Sequence, residues 1–131
     1  MELTTDKSKS LTVLIIDDEN DICFLLSNIL RNHHFHVEFV NTITEGRDYL
    51  KRLKPDVLFL DNRLPDGYGI DFINYVKREH INTKIIMVTA HDSAEDRKKA
   101  IEEGVDKFIS KPFSAAQIKN AIHEVYPNSS N

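Results

Sequence analysis

Apolar runs of four or five residues recur along the chain, and between them apolar residues fall three or four apart. Val13-Leu14-Ile15-Ile16 and Val57-Leu58-Phe59-Leu60 are uninterrupted, as strands buried on both faces must be. The first predicts a strand over Thr12–Ile16. The stretch Asn20–Arg31 sets Ile22, Leu25, Leu26, Ile29 and Leu30 on one side of a helix. His36–Val40 reads as a second, shorter strand. Asn41 or Thr42 can cap the helix after it, in which Ile43, Gly46, Leu50 and Leu53 share a side. Pro55 ends that helix and Asp56–Asp61 forms the third strand. Residues 64–69 are a turn by their Pro, Asp and Gly content. Ile70–Glu79 is helical and buries Phe72, Ile73 and Val76, and Lys84–Val88 is the fourth strand. Ser93 or Asp92 caps a fourth helix that runs to Glu103, with Gly104 as its stop. Lys107–Ile109 is a short fifth strand. Ser114–Tyr126 is the last helix, with Ile118, Ala121, Ile122 and Val125 inward.

Five strands alternating with five helices over short connections predict a parallel sheet covered on both faces through right-handed crossovers. The fold class is therefore α/β, doubly wound, in one domain over residues 11–126. A polar segment, 1–10, precedes it and a polar tail, 127–131, follows.

At 131 residues the chain suits a single core. Its 17 basic and 21 acidic side chains give a net charge of −4, and the two signs are interspersed. There is no basic face of the kind a nucleic-acid binder needs, so no direct nucleic-acid partner is expected. The apolar runs are too short to span a bilayer and residues 1–10 lack an apolar signal core, which predicts a cytoplasmic protein without a membrane partner. The single cysteine, Cys23, lies in an apolar helical stretch and reads as a small buried side chain rather than a nucleophile. His33-His34-Phe35-His36 straddles a helix end and a strand start. It lacks the i, i+4 spacing of helical metal ligands, and histidines near a helix C-terminus suit its dipole.

Chemistry concentrates at the strand ends. Asp17 and Asp18 follow the first strand, Asp61 the third, Thr89 the fourth and Lys111 the fifth. Ligand sites of open α/β sheets lie beyond the carboxyl ends of the strands, so these side chains converge on one rim. Carboxylates gathered there repel one another unless a divalent cation or a lysine offsets them. Their hard oxygens suit Mg²⁺. Asp61, alone on the central strand, is best placed as a nucleophile, and attack by aspartate on a phosphoryl group gives an acyl phosphate. A metal and a lysine would neutralise the transferring group, and the Thr89 hydroxyl could hydrogen-bond it.

Five motifs then carry a resemblance: Ile15-Ile16-Asp17-Asp18-Glu19, Leu60-Asp61-Asn62-Arg63-Leu64-Pro65-Asp66-Gly67-Tyr68-Gly69, Val88-Thr89-Ala90, Gly104-Val105-Asp106-Lys107-Phe108 and Lys111-Pro112-Phe113. From about Leu11 to Tyr126 the chain resembles the receiver domains of two-component response regulators, including single-domain chemotaxis regulators. The resemblance implies a flavodoxin-like sheet of order 2-1-3-4-5 with five helices. It implies that a histidine kinase or phosphotransfer protein phosphorylates Asp61. Asp18 and Asp61 would ligate Mg²⁺ with the backbone carbonyl of Arg63, Asp17 would help directly or through water, and Mn²⁺ could substitute. Lys111 would pair with Asp61 and precede a cis Lys111-Pro112 bond.

It further implies that Thr89 and Phe108 relay phosphorylation to the surface of helix four, strand five and helix five. Arg63 and His91 would border the phosphoryl group and set its lifetime. The domain would catalyse its own aspartyl phosphorylation and dephosphorylation without being a conventional enzyme. Its output would be a downstream protein or an appended domain. A homodimer through the same surface stays open, since Glu95, Asp96, Arg97, Lys98, Lys99, Asp106, Lys107 and Lys119 carry both signs. The alternative is a receiver-like docking module that works without phosphorylation. A phosphoaspartate phosphatase would need an acid at Arg63, and a flavin carrier would need a glycine-rich phosphate cradle where Asp17–Asp21 has acids.

Overall fold

A computed structural model describes residues 11–127; the polar segment expected at 1–10 and residues 128–131 of the tail lie outside the described residues. The chain runs β1 (Thr12–Ile16), α1 (Asn20–Arg31), β2 (His36–Val40), α2 (Ile43–Leu53), β3 (Val57–Leu60), β4 (Arg63–Leu64), β5 (Gly67–Tyr68), α3 (Gly69–Glu79), β6 (Lys84–Thr89), α4 (Ala94–Glu103), β7 (Lys107–Ser110) and α5 (Ala115–Val125). The main sheet has the order β2-β1-β3-β6-β7, with all its pairs parallel. This is the expected 2-1-3-4-5 arrangement once the small β4–β5 hairpin is set aside.

Alternation along the strands divides the core in two. Val13, Ile15, Val57, Phe59, Ile86 and Val88 pack with Cys23, Leu26 and Leu30 of α1 and with Ile118, Ala121 and Ile122 of α5. Leu14, Ile16, Leu58, Leu60, Ile85 and Met87 pack with Leu50 of α2, with Ile70, Phe72, Ile73 and Val76 of α3 and with Ala100 of α4. Each such aliphatic side chain contributes about 1.5–3 kcal/mol by leaving water, so the central strands are held from both sides. Edge strand β2 is partly closed by Arg31, whose guanidinium donates to the Val37 carbonyl at 3.0 Å.

Helix boundaries follow local chemistry. Thr42, not Asn41, caps α2 by accepting from the Glu45 amide, and Ser93, not Asp92, caps α4 by accepting from the Asp96 amide. Ser114 and Gln117 form a capping box at α5. Gly104 ends α4 with φ 109°, a conformation that glycine adopts without strain. The third strand is shorter than expected at both ends: the Asp56 carboxylate accepts from the Thr12 amide, and the Asp61 amide donates to the Ile16 carbonyl past the end of the strand. The turn at 64–69 contains one side of the β4–β5 pair, Arg63 opposite Tyr68 and Leu64 opposite Gly67. Asp66 at its tip reaches back to α2, accepting from the amides of Ile43 and Thr44 and from the Thr44 hydroxyl at 2.8–2.9 Å. No helix among the described residues is long and apolar enough to cross a membrane.

Candidate functional site

Three strand ends meet at Lys111. Its ammonium lies 2.9 Å from Asp17 Oδ2, 2.8 Å from Glu19 Oε1 and 3.5 Å from Asp61 Oδ2. The Lys111 amide donates to the Thr89 carbonyl, which seats the lysine at the rim of β6, and the Lys111-Pro112 peptide bond is cis. Asp17 and Asp61 are 2% and 6% exposed, so both carboxylates are withdrawn from water.

The loop after β1 is braced on every side. Asp17 Oδ1 accepts from the Glu19 amide at 2.9 Å, and the Asp17 carbonyl accepts from Asn41 Nδ2 at 2.8 Å and from the Cys23 thiol at 3.3 Å. Burial pushes the Cys23 thiol up to about 12, and the charge of Asp17 adds to the effect. Beside β3, Asp61 Oδ1 accepts from the Asn62 amide at 2.8 Å, and Asn62 Oδ1 accepts from the Ile70 amide at 3.0 Å. Gly69 allows α3 to start here, because a Cβ at that position would overlap the Asp61 carbonyl oxygen.

One cation does not balance this site. Burial raises the Asp17 carboxyl to about 6, with the charge of Asp61 second and Lys111 opposing. Burial likewise raises Asp61, with Lys111 pulling the other way and Asp18 adding to the rise. Burial alone would lower Lys111, but its hydrogen bonds to Glu19 and Asp17 and the charges of Asp17 and Asp61 hold it above the ordinary lysine value. One carboxylate oxygen from each of Asp17, Glu19 and Asp61 lies within 4.8 Å of the other two, the one such cluster among the described residues. A set of hard oxygens with excess negative charge fits a hard divalent cation.

The other expected residues take distinct places. Asp18 is exposed beside the cluster and acts on Asp61 through its charge. Thr89 is fully buried, and its hydroxyl oxygen accepts from the His91 amide at 3.1 Å, leaving its own proton free to donate. Phe108 is half-buried on β7 beneath Arg97 of α4. Arg63 lines a cleft of about 210 Å³ with Tyr68, Asp71, Asp96 and Lys99. Of the charges on the α4–β7–α5 face, Asp106 pairs with Lys77, Lys107 with Glu124 and Lys99 with Asp71 within the chain. The histidines do not gather: His33 and His34 sit in the turn after α1, and His36 pairs with Glu38 at 3.0 Å. Glu19 and Asn62 were not singled out from the sequence. Glu19 follows the aspartate pair, and nothing local marks it as the partner of a lysine 92 positions away.

Comparison with known proteins finds relatives in both sequence and fold. The phosphate regulon transcriptional regulatory protein PhoB of Escherichia coli is 33% identical over 121 residues, covering 88% of this chain and 53% of that protein. The chain spans about half or less of the length of the curated relatives it matches. The crystal structure of a CheY-like response regulator receiver domain protein from Methanospirillum hungatei superposes with TM-score 0.86 at 26% identity, covering 92% of this chain and 97% of that one. The beryllofluoride-activated NtrC4 receiver domain dimer gives TM-score 0.82 at 34% identity, covering 90% and 98%. Residues 13–123 match the response regulator receiver domain family, and the chain belongs to that family of two-component signalling domains.

Proposed function

We propose that the chain is a phosphorylation-controlled switch in which Asp61 accepts a phosphoryl group from a histidine kinase or phosphotransfer protein in the cytoplasm. The observation that carries this reading is the Lys111 ammonium held among Asp17, Glu19 and Asp61 at the carboxyl ends of β1, β3 and β7. Asp17, Asp18, Asp61 and the Arg63 carbonyl would hold Mg²⁺, with Mn²⁺ an adequate substitute, and Glu19 would keep its bond to Lys111. Once bound, the cation supplies positive charge that offsets the charge of the transferring group.

The protein's own groups do the rest. An Asp61 carboxylate oxygen attacks phosphorus, an O–P bond forms, the donor's P–N bond breaks, and the imidazole leaves with a proton. Lys111, already on the Oδ2 side of Asp61, pairs with the phosphoryl oxygens as they arrive. The Thr89 hydroxyl donates to one of them, and Phe108 turns into the space that Thr89 vacates. Phosphorylation shifts an existing equilibrium of the α4–β7–α5 surface by its different interaction with the two states. Arg63 and His91 border the phosphoryl group and govern how quickly water removes it. That surface controls a downstream protein or an appended output domain. A homodimer through it is a further arrangement, supported by the relative whose activated receiver domain is a dimer.

The test is incubation with Mg²⁺ and acetyl phosphate. A gain of one phosphoryl group that Asp61→Asn abolishes is the expected result. An unmodified wild-type protein, or modification that survives Asp61→Asn, leaves the docking-module reading in its place.

A further inference from the structure

Between Asp61 and α3 lies a buried side chain to which phosphoryl transfer has so far assigned no part. Asn62 is 6% exposed. Its Oδ1 accepts from the Ile70 amide at 3.0 Å, one of the first-turn donors that a helix leaves unpaired. Its own amide donates to Asp61 Oδ1 at 2.8 Å, and its carbonyl accepts from the Gly69 amide at 2.6 Å. Three hydrogen bonds through one residue therefore tie the reacting carboxylate to a helix N-terminus. Tyr68, at the N-cap position of α3, makes no side-chain capping bond, so the Asn62 side chain is what serves the first turn.

The consequence for Asp61 is an asymmetry between its two oxygens. Oδ1 is engaged by the Asn62 amide, and Oδ2 is left facing Lys111 at 3.5 Å. Rotating the carboxylate would break the first contact. We propose that Asn62 is a positioning residue for phosphoryl transfer: its side-chain bond to α3 aims its amide at Asp61 Oδ1 and so presents Oδ2 on the lysine side. This rests on the reading of Asp61 as phosphoacceptor. Asn62 acts through Asp61 and touches no transferred group.

Asn62→Val removes the acceptor at nearly constant size and leaves the Ile70 amide buried without a partner. Ile73→Val trims the core of the same helix, away from Asp61, and calibrates plain loss of stability. Both variants are compared with wild type at a temperature where all three are folded, at saturating Mg²⁺, with acetyl phosphate as donor. Asn62→Val should be phosphorylated about ten- to a hundredfold more slowly, the range expected for a misaimed reacting group, and Ile73→Val at the wild-type rate. The amide of residue 62 should lose hydrogen-exchange protection in Asn62→Val, having lost its carboxylate acceptor, and keep it in Asn62→Asp, which retains the side-chain acceptor. An Asn62→Val rate no lower than that of Ile73→Val overturns the proposal. So does a residue-62 amide whose exchange protection, corrected for intrinsic rate, is the same in wild type, Asn62→Val and Asn62→Asp. A wild-type protein that takes no phosphoryl group fails the phosphoacceptor reading instead, and that result is visible before any variant is compared.

Discussion

The guanidinium of Arg97 lies 4.6 Å from the centre of the Phe108 ring, and the same side chain donates to Ser110 Oγ at 3.2 Å. Helix α4 is thereby clipped across β7 by one exposed residue. It needs the clip, because Ala100 is the only buried residue of α4. An exposed cation–π contact contributes about 0.5–1 kcal/mol, little enough for an event at the rim to overturn it. Arg97→Ala should therefore move the Phe108 ring resonances of the unphosphorylated protein toward their positions in the phosphorylated wild type. Resonances that stay put would show that Arg97 does not restrain the ring.

Thr89→Ala probes the other end of the proposed relay to Phe108. The hydroxyl lost is buried and accepts the His91 amide, so the β6–α4 turn loosens while Asp61 keeps its contacts to Asn62 and Lys111. Phosphorylation by acetyl phosphate should continue, and the Phe108 resonances should no longer respond to it. A full response in this variant would remove Thr89 from the path.

Arg63→Asn addresses the lifetime of the phosphorylated form. The arginine is exposed on β4 at the edge of the cleft beside Asn62. Replacing a long cation with a short amide should change the dephosphorylation rate and leave phosphorylation intact. Equal rates of phosphate release would place the side chain out of reach of the site.

The Asp17 carboxyl, raised from 3.8 to about 6, gives a dependence on pH that runs against ordinary acid denaturation. In the fold Asp17 holds a proton that the unfolded chain releases at lower pH. Stability in the absence of divalent cations should therefore fall as pH rises from about 4 to about 6, and level off above. Between pH 5 and pH 7.5 the effect is on the order of 1 kcal/mol, since a pKa difference of one unit is worth about 1.4 kcal/mol. Thermal unfolding in chelator at pH 5 and pH 7.5 measures it. Asp17→Asn should flatten the difference; an unchanged difference would assign it to other groups.

Asp66 joins the hairpin tip to α2 through two amides and a hydroxyl. Desolvation alone would raise the Asp66 carboxyl, but the hydrogen bonds from those amides and from the Thr44 hydroxyl together outweigh it and hold the group below its usual value. Asp66→Ala should cost about 1 kcal/mol, the ordinary worth of a helix cap, even though the residue lies more than twenty positions from the helix it caps. A urea midpoint equal to that of wild type would mean that Thr42 alone suffices.

How much could be read from the chain depended on whether the signal was local. Val13–Ile16 and Val57–Leu60 announce themselves, since a strand buried on both faces has no polar position to hide it. Asp61 and Asp17 were legible because they end those strands. Within the aspartate pair, Asp17 is held inward by the Glu19 amide and the Lys111 ammonium, whereas Asp18, one residue further past the end of β1, stays exposed. Glu19, Asn62 and Asp66 were not legible as partners. Each acts through a group brought close only by the completed fold, and Glu19 looks like any solvated carboxylate until Lys111 arrives. The β4–β5 pair escaped notice because two-residue strands carry no periodicity.

Cys23, the sole sulfhydryl of the chain, is closed off beneath the Asp17 loop. Burial pushes its thiol well above the ordinary range, with the charge of Asp17 adding to the effect, so little of the reactive thiolate forms at neutral pH. Alkylating dyes and spin labels should therefore pass it by, and a cysteine engineered onto α4 or β7 could be tagged selectively without first deleting the natural one.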